Sequence, residues 1–393
     1  MAQALDGISV LDLSNYIAGP FAAMLLGDMG ATVLKIENTN GGDPFRKSAR
    51  EPRMYSPLFW SYNRNKRSMT LNLRHPEGRK LFLQMVEKAD VVIENFRPGV
   101  MDRLELDYER LKGLNPRLIY CSISAFGQTG PYRERPGFDT LGQCLSGLLS
   151  QIVDPKAPSP PGLAFSDHLG GMFSCYGILT ALMARERSGK GQKVETSLME
   201  ASMAFIGRSI IQYFATGDVP NIESRGRSAG VYALLAGDGL PLVVHLSHLN
   251  KFFVSLAEAI DRPELAKDPR FQDREDRVTN YDALKALLQD IFKTKSRQYW
   301  LDVLSKHDVA HAPINRLDEV FEDPQVQHLD RIMELQHPKH GPVHTVKSGV
   351  NLSDTPFQVS ALPPELGEHT AEVLRELGLS EEKIGQLEEE GTI

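Results

Sequence analysis

The sequence predicts an α/β protein with a parallel central sheet and a second, smaller α+β domain. Its 393 residues are enough for two domains. Residues 8–13 form a β-branched apolar run that is typical of a buried strand, and a helical pattern follows Pro20 as far as Met29. Gly30 ends this helix, and residues 31–37 form the next apolar run. A strand, a helix and a strand joined by short connections indicate a parallel sheet.

The same alternation of strands and helices continues along the chain and extends the predicted sheet. Further strands are predicted at 69–73, 90–94, 117–124 and 193–196, with a helix at 76–89. Long apolar helices are predicted from Asp167 to Arg185 and from Leu198 to Ala215. This pattern favours one large domain built around the sheet.

A change in composition at Thr216 marks the start of the second domain. Residues 217–230 are polar and rich in glycine, and a hairpin is predicted around Gly237-Asp238-Gly239. Helical patterns follow, and the strand-like segment 345–350 indicates that the chain returns to the first domain. The predicted boundaries are 1–216 for the first part of the large domain, 217–230 for a linker, 231–325 for the small domain and 326–393 for the return with C-terminal helices.

Composition and charge argue against several classes of protein. The net charge of −7 and the pI of about 5.9 are unusual for a nucleic-acid-binding protein, which normally carries a basic surface. The three cysteines lie far apart in sequence, so neither a disulfide framework nor a cysteine zinc site is expected. Signal-peptide and membrane-span patterns are lacking. We expect a cytoplasmic protein without a metal and without nucleic-acid or membrane partners.

Basic residues are concentrated near two of the predicted strands. Lys66 and Arg67 precede one strand, residues 95–97 (Asn95, Phe96 and Arg97) directly follow another, and Arg103 comes one helical turn later. Parallel α/β sheets bind ligands at the carboxyl ends of their strands. There an aromatic ring can stack on a base, and arginines can pair with phosphate. The alternative is that these charges form a solvated rim.

A single carboxylate, Asp167, stands at the start of the long apolar helix. Aspartate is among the most favoured N-cap residues, because its side chain accepts a hydrogen bond from a free backbone N–H group. The alternative is a nucleophile in a cleft, kept ionised by the helix dipole. Gly170 and Gly171 favour the second interpretation, since glycines destabilise a helix and indicate close approach to its backbone. The residues alone leave both interpretations open.

Several short motifs occur together in an order that resembles one enzyme family. They are Gly7-Ile8 through Leu13, Ala18-Gly19-Pro20, Leu26 through Ala31 with Lys35-Ile36-Glu37, Asn63 through Ser68, Glu94 through Gly99, Gly189 through Gln192 and Asp323 through Val326. Over nearly its full length the chain resembles the family III CoA-transferases of the CaiB/BaiF type. The α-methylacyl-CoA racemases belong to the same superfamily.

The resemblance implies a Rossmann-like large domain built from both chain ends, a small domain, and two subunits that interlock as a homodimer. Asp167 falls where the family carries its catalytic carboxylate. The segment 95–97, Arg103 and the region of Lys66 and Arg67 match the coenzyme A surroundings. Acyl-CoA and a carboxylic acid are then the substrates, and no permanently bound cofactor is expected.

The expected reaction moves coenzyme A from a thioester to a carboxylic acid. An enzyme carboxylate attacks the thioester and forms a mixed anhydride, CoA thiolate attacks the aspartyl carbonyl, and the acceptor acid reverses these steps. Covalent intermediates preserve the energy of the thioester. The backbone N–H groups of Gly170 and Gly171 are candidates for stabilising the oxyanion.

The racemase branch is the main alternative function. It removes the proton next to the thioester carbonyl with a histidine and an aspartate, and this histidine belongs to a Gly-His-Asp motif. The matching residues here are Gly137, Phe138 and Asp139, and phenylalanine cannot accept a proton. The sequence therefore favours the transferase. Asp139 either lines the acceptor site or caps the helix that follows it.

The acceptor acid is less well defined by the sequence. The formyl-CoA:oxalate branch carries a run of glycines where this chain has only Gly226 and Gly230, which argues against oxalate. Arg208, Arg225 and Arg227 are candidates for binding the second carboxylate of a dicarboxylic acid. A non-catalytic CoA-binding protein is a third interpretation, which the presence of the aspartate in the family's catalytic position disfavours.

Overall fold

A computed structural model describes residues 3–48, 56–247 and 249–393, and its main feature is a sheet of six parallel strands. The strands are β1 (Ser9–Asp12), β2 (Thr32–Glu37), β3 (Lys66–Thr70), β4 (Val91–Glu94), β5 (Ile119–Ser124) and β6 (Lys193–Ser197). They lie in the order β3-β2-β1-β4-β5-β6, which is the strand order of dinucleotide-binding Rossmann folds. The predicted α/β class and parallel sheet are confirmed.

The helices that accompany these strands follow in chain order. They are α1 (Ala18–Asp28), α2 (Pro57–Trp60), α3 (Pro76–Val86), α4 (Val100–Arg103), α5 (Tyr108–Leu114), α6 (Asp139–Ser146), α7 (Phe165–Ser188), α8 (Leu198–Phe205) and α9 (Gly207–Thr216). None of the described helices is both long enough and apolar enough to span a membrane. The single helix predicted from Leu198 to Ala215 is divided at Ile206 into α8 and α9.

The rest of the chain forms an α/β segment, a hairpin and two C-terminal helices. The first consists of α10 (Ser224–Ala229), β7 (Val231–Leu235), β8 (Pro241–His245), α11 (Asn250–Ala259), α12 (Arg274–Thr279), α13 (Tyr281–Phe292), α14 (Arg297–Lys306), β9 (His311–Pro313), α15 (Leu317–Val320) and α16 (Pro324–Leu329). The hairpin is β10 (Ile332–His337) and β11 (Gly341–Val346), and the last helices are α17 (Thr370–Glu376) and α18 (Glu381–Glu389). Strand β10 was not predicted, and α10 lies inside the segment predicted as a linker.

The chain divides into two compact units. One comprises residues 1–149, 160–211 and 331–393, and the other comprises 150–159 and 212–330. In the second unit, β7 and β8 pair as the predicted antiparallel hairpin, and β9 pairs with β8. Its core contains the buried rings of Tyr232, Phe253 and Trp300.

The sheet of the first unit is covered on both faces, which explains why its central strands β4 and β5 are fully buried and mostly apolar. Val10 and Leu11 are neighbours in β1, yet they belong to different apolar clusters because successive side chains point to opposite faces. Leu374 of α17 and Leu387 of α18 are buried in the cluster that contains Leu11. The C-terminal helices therefore contribute to the same core as the first strand.

Helix α7 packs closely on α1, and Gly171 makes this approach possible. A Cβ atom at Gly171 would lie 2.7 Å from the backbone oxygen of Ala18 and 2.9 Å from the ring of Phe21. At Gly170 a Cβ atom would come within 2.9 Å of Leu198 in α8. The groups that approach these two glycines closely thus belong to the protein itself.

We expect Gly171→Ala to lower the free energy of unfolding by about 1–3 kcal/mol, because the added methyl group overpacks the α1–α7 contact. Gly385→Ala is the matched control, since Gly385 lies inside helix α18 with open space around it. This control should raise the stability by up to ~1 kcal/mol. Urea denaturation of the two variants measures both values. Equal effects would contradict the packing role of Gly171.

Candidate active site

Asp167 is the third residue of helix α7 and does not cap it. The N-cap position is occupied by Ala164, and no side chain accepts a hydrogen bond there. The interpretation of Asp167 as an N-cap is therefore wrong. Among the described residues, no hydrogen bond or ion pair reaches its half-buried carboxylate. A carboxylate without a protein partner is available to react with a substrate.

The surroundings of Asp167 make its carboxylate unusually basic. Burial and the nearby carboxyl group of Asp139 raise the pKa of Asp167 to about 7. The side chain is consequently ionised in part at neutral pH. A carboxylate with this pKa is a stronger nucleophile than one with an ordinary pKa, because nucleophilicity rises with basicity.

Asp139 contacts the backbone of Asp167 rather than its own helix. Its Oδ1 atom accepts a hydrogen bond of 3.0 Å from the backbone N–H of Asp167. Helix α6 has Phe138 at its N-cap position and no side-chain cap. The interpretation of Asp139 as the cap of the helix that follows it is therefore wrong, because Asp139 instead satisfies a free N–H group of α7.

Phe138 presents its ring to solvent beside the loop that follows β1. The residue is 62% exposed, and its ring packs edge-on against Tyr16 at a centroid distance of 6.3 Å. Tyr16 has a positive φ of 65°, a strained value for an aromatic residue. The loop after β1 thus adjoins the segment that carries Phe138 and Asp139.

A cavity of about 1060 Å³ lies at the carboxyl ends of β1, β2, β3 and β4. Its lining includes Leu13, Asn15, Asn38, Thr39, Asn40, Asn72, Arg74, Arg79, Phe96, Arg97 and Arg103. The strand order reverses between β1 and β4, and parallel sheets bind ligands at such a point. Phe96, Arg97 and Arg103 are thus brought together, with Arg74 and Arg79 as further cations.

Asn95 fixes the loop after β4 to the loop after β1. Its side chain accepts a hydrogen bond of 2.8 Å from the backbone N–H of Asn15 and donates one of 2.7 Å to the carbonyl oxygen of Asn15. Buried Glu94 accepts a hydrogen bond of 2.8 Å from the N–H of Phe96. These contacts hold the ring of Phe96 at the cavity. Asn95 therefore has a structural role that uses both ends of its amide.

Lys66 and Arg67 do not line this cavity. Lys66 begins β3, and its Nζ atom is buried. This atom donates to the carboxylate of Asp12 at 2.8 Å, and to the backbone carbonyl of Pro20 and the side-chain oxygen of Asn63 at 2.9 Å each. All three ammonium protons are engaged, so the assignment of Lys66 to coenzyme binding is corrected. Arg67 donates to Glu376 of α17 at 3.0 and 3.1 Å. Both cations therefore pair with carboxylates of the protein.

The assignment of Gly170 and Gly171 to an oxyanion site also needs correction. Only the first four N–H groups of an α-helix lack a partner within the helix. Gly170 and Gly171 are the sixth and seventh residues of the helix that begins at Phe165, so their N–H groups lie within its hydrogen-bonded part. The glycines serve the packing of α7 on its neighbours.

No sequence motif predicts that Tyr62 and His168 pair beside Asp167. The Tyr62 hydroxyl lies 3.2 Å from Nε2 of His168, and Nδ1 of His168 lies 2.7 Å from the carbonyl oxygen of Ala164. This pairing leaves Nδ1 as the donor and Nε2 as the acceptor. Burial and the charge of Asp167 raise the pKa of Tyr62. By contrast, the sequence could have predicted Arg74, Arg79 and residues 38–40 as residues of the cavity, because they follow predicted strands.

One group of residues in the described part of the chain resembles a metal site. His337, His340 and Glu365 bring potential ligand atoms within 4.8 Å of one another. Nδ1 of His337, however, accepts hydrogen bonds from the backbone N–H groups of Lys339 and His340 at 3.1 and 3.2 Å. A neutral imidazole has one lone pair, and here the backbone uses it. This geometry disfavours a metal at the group.

Comparison with known proteins identifies the family. The sequence model described as CoA-transferase family III matches residues 5–370. The chain belongs to CoA-transferase family III. Acetyl-CoA:oxalate CoA-transferase from Acetobacter aceti is 37% identical over 390 residues, which cover 96% of this chain and 97% of the relative. Succinyl-CoA:glutarate CoA-transferase from Homo sapiens is 32% identical over 404 residues, which cover 100% of this chain and 90% of the relative.

Solved structures support the same assignment. A CaiB/BaiF family protein from Brucella suis has a TM-score of 0.83 and 35% sequence identity, and the match covers 96% of this chain and 100% of that structure. The sequence-based resemblance is thereby confirmed, and the protein is a CoA-transferase enzyme whose substrates are CoA thioesters.

We expect Lys66→Met in this CoA-transferase to lower the free energy of unfolding by about 3–5 kcal/mol, since it leaves Asp12 buried without its partner. Lys339→Met removes an exposed partner of Glu365 and should cost less than ~1 kcal/mol. Denaturation curves test both values. A stable Lys66→Met variant with a raised KM for acyl-CoA would restore the coenzyme-binding role of Lys66.

Asp167→Asn should stabilise the folded protein at pH 8 by about 1–2 kcal/mol. Converting the whole pKa shift at ~1.4 kcal/mol per unit would give a larger value, but the side chain is partly solvated and only part of that energy is expected. The folded state keeps a proton that the unfolded state releases, so the stability due to Asp167 is lost as the pH rises from about 4 to about 7. The advantage of the variant should therefore vanish at pH 4. Unfolding curves across this range test the sign.

Proposed function

We propose that this enzyme transfers coenzyme A between dicarboxylic acids or similarly small acids, with Asp167 as the nucleophile. Two relatives support the substrate class, because their names give oxalate and glutarate as the acids they use. The sequence argument against oxalate loses weight, since the relative that uses oxalate is 37% identical to this chain. Oxalate therefore belongs among the acceptors to be assayed.

The proposed reaction begins with attack of the Asp167 carboxylate on the thioester carbonyl of the donor. The C–S bond breaks, CoA leaves as a thiolate, and a mixed anhydride remains. The thiolate attacks the aspartyl carbonyl, which releases the donor acid and forms an aspartyl-CoA thioester. The acceptor carboxylate attacks this thioester, and the released thiolate then attacks the acceptor carbonyl. This last step yields the new acyl-CoA and restores the carboxylate.

The observation that carries this proposal is the carboxylate of Asp167 itself. It is half-buried, it has no partner among the described side chains, and its pKa is raised to about 7 by burial and by Asp139. A carboxylate that served only to stabilise the fold would be paired or hydrogen-bonded. Nucleophilic attack needs a carboxylate that is both unpaired and basic.

The cavity at the carboxyl ends of β1 to β4 is the proposed site for coenzyme A. Phe96 offers a face for the adenine, and Arg74, Arg97 and Arg103 offer positive charge for the phosphate groups. A volume of about 1060 Å³ is large enough for a ligand of this size. Arg79 adds a further cation to the lining.

The arginines suggested for the acceptor differ in their surroundings. Arg227 donates hydrogen bonds of 2.8 and 2.9 Å to Asp282 and one of 2.9 Å to Glu223. Its charge is therefore used within the protein, and we do not retain it as an acceptor ligand. Arg208 and Arg225 are exposed and stay candidates for the second carboxylate.

A homodimer is part of the proposal and rests on the outer face of α7. Met172, Tyr176 and Met183 are spaced one helical turn or two apart, and they are 55%, 67% and 66% exposed. Large apolar side chains in such a stripe indicate a protein–protein interface. The interlocked arrangement and the cytoplasmic location stay predictions from the sequence.

The other two functions have less support. A racemase needs a second base opposite Asp167, and Phe138 cannot serve as one. His168 adjoins Asp167, but both of its ring nitrogens are engaged, with Tyr62 and with the backbone. A non-catalytic protein would have no use for an unpaired basic carboxylate.

Incubation with succinyl-CoA followed by borohydride tests the nucleophile. Borohydride reduces an aspartyl thioester to an alcohol, so the side chain of Asp167 should become that of homoserine in the wild-type protein. Peptide mass spectrometry locates the change. Asp167→Asn should show neither the modification nor transfer of CoA to glutarate or oxalate, while Asp354→Asn, at an exposed aspartate, should retain both.

Two results would contradict the proposal. One is that the Asp167 peptide stays unmodified with every acyl-CoA tested, while the enzyme exchanges the α-proton of a branched acyl-CoA with solvent. The other is transfer activity that survives in Asp167→Asn at the wild-type rate.

A further inference from the structure

Helix α7 begins without a cap of its own. The four N–H groups in the first turn of any α-helix need partners from outside that helix, and a side chain at the N-cap usually supplies one. The N-cap here is Ala164, which has no acceptor in its side chain. The N–H of Asp167 is nevertheless satisfied, because Oδ1 of Asp139 accepts its hydrogen bond at 3.0 Å.

The carboxylate that supplies this cap is itself held in place. Nε2 of buried Gln143 donates to Oδ2 of Asp139 and also, at 2.9 Å, to the carbonyl oxygen of Leu163. Gln143 lies one turn after Asp139 in α6, whereas Leu163 lies two residues before the first residue of α7. The side chains of Asp139 and Gln143 therefore join the start of one helix to the start of the other.

The other side of the first turn of α7 is fixed as well. The hydroxyl groups of Ser166 and Ser202 lie 2.6 Å apart, and both side chains are buried. Asp167 is thus held by its neighbours in sequence and by its own N–H group, while its carboxylate stays without a partner among the described residues. The contacts fix the backbone of the nucleophile and leave its reactive atoms free.

We propose that Asp139 is a positioning residue for CoA transfer, which holds the first turn of α7 through the N–H of Asp167 and uses its negative charge to disfavour the free carboxylate relative to its acylated forms. This inference rests on the proposed function, since it assigns a role around the same nucleophile. Asp139 touches the backbone of Asp167 and is not itself required to touch a substrate.

The electrostatic part follows from the charges along the reaction. Free Asp167 is an anion near a second carboxylate, whereas both the mixed anhydride and the aspartyl-CoA thioester are neutral at this side chain. Acylation therefore relieves the repulsion from Asp139. The same repulsion makes the free carboxylate more basic, and a more basic carboxylate attacks the thioester more readily.

The titratable groups around Asp167 come from three elements. Asp139 approaches from α6, Tyr62 from the segment after α2, and His168 is the next residue of α7. Burial and then Asp139 raise the pKa of Asp167 to about 7. Tyr62 stays neutral near pH 7, since burial and Asp167 both raise its pKa. Asp139 is therefore the group whose charge is altered in the test.

Two variants separate the charge of Asp139 from its hydrogen bond. Asp139→Asn removes the charge and keeps an oxygen that can accept the N–H of Asp167, whereas Asp139→Ala removes both. The rising limb of kcat/KM against pH reports the ionisation of the free enzyme's nucleophile. Its midpoint should fall by about one pH unit in Asp139→Asn, because one of the two causes of the raised pKa is lost.

The amount of trapped intermediate provides a second measurement on the same variants. The fraction of Asp167 that borohydride converts should fall by up to about tenfold in Asp139→Asn at pH 8, since one pH unit corresponds to a factor of ten in an equilibrium. Asp139→Ala should also lose kcat at every pH. Asp354→Asn is the control for a charge removed at an exposed site. A wild-type pH profile and a wild-type trapped fraction in Asp139→Asn would overturn the inference.

A stability cycle tests the pairing without any use of activity. Asp139→Asn, Asp167→Asn and the double variant are unfolded in urea at pH 8 and at pH 4. The gain in stability from Asp167→Asn at pH 8 should shrink when Asp139 is already Asn, and at pH 4 the two changes should add. Additivity at both pH values would refute the charge coupling even in an active enzyme. An unmodified wild-type Asp167 would instead refute the proposed function, whatever the cycle shows.

Discussion

The ion pair of Asp12 and Lys66 holds together the part of the sheet from which both candidate sites project. Both side chains are without solvent exposure, and so are those of Lys35 and Asp43, which pair at 3.1 Å beside them. Burial alone would raise the pKa of Asp12, yet Lys66 and Lys35 keep it below its ordinary value. Unpaired buried charges cost several kcal/mol, so this group is stable only when it is complete. Its contacts reach Pro20 at the start of α1.

The position of the proposed nucleophile, Asp167, depends on the same region through the packing of two helices. The ion pair fixes the start of α1, Gly171 lets α7 approach the backbone of α1 at Ala18, and Asp167 lies one turn before that contact. Phe138, the neighbour of Asp139 in sequence, contacts Tyr16 in the loop after β1. Asn15 of that loop also lines the cavity proposed for coenzyme A. A change in the buried charges would therefore affect the proposed coenzyme site and the proposed nucleophile together.

Much of this arrangement could be predicted from the sequence, and the errors have physical causes. The periodicity of apolar residues predicts the strands of the sheet. Ligands bind at the carboxyl ends of parallel strands, so the segment after β4 predicts Phe96, Arg97 and Arg103 as residues of the cavity. Lys66 was misassigned because residue type reveals charge but not burial. The cap of α7 by Asp139 joins residues 28 positions apart, and no local pattern encodes such a contact. Tyr62 is even farther from His168 along the chain, so its pairing required the structure.

In the proposed mechanism, the partial burial that raises the basicity of Asp167 also helps to protect the covalent intermediate formed on it. A mixed anhydride is hydrolysed by water, and a site that keeps water from the aspartyl carbonyl favours attack by the thiolate instead. Burial also raises the free energy of the carboxylate anion of Asp167, and the nearby carboxylate of Asp139 raises it further. In the proposed mechanism the attacking carboxylate is therefore less stable in the folded protein than in water. If Asp167 is the nucleophile we propose, its acylation removes the charge that burial and Asp139 destabilise, so the cost to folding and the drive toward the covalent intermediate have one physical origin.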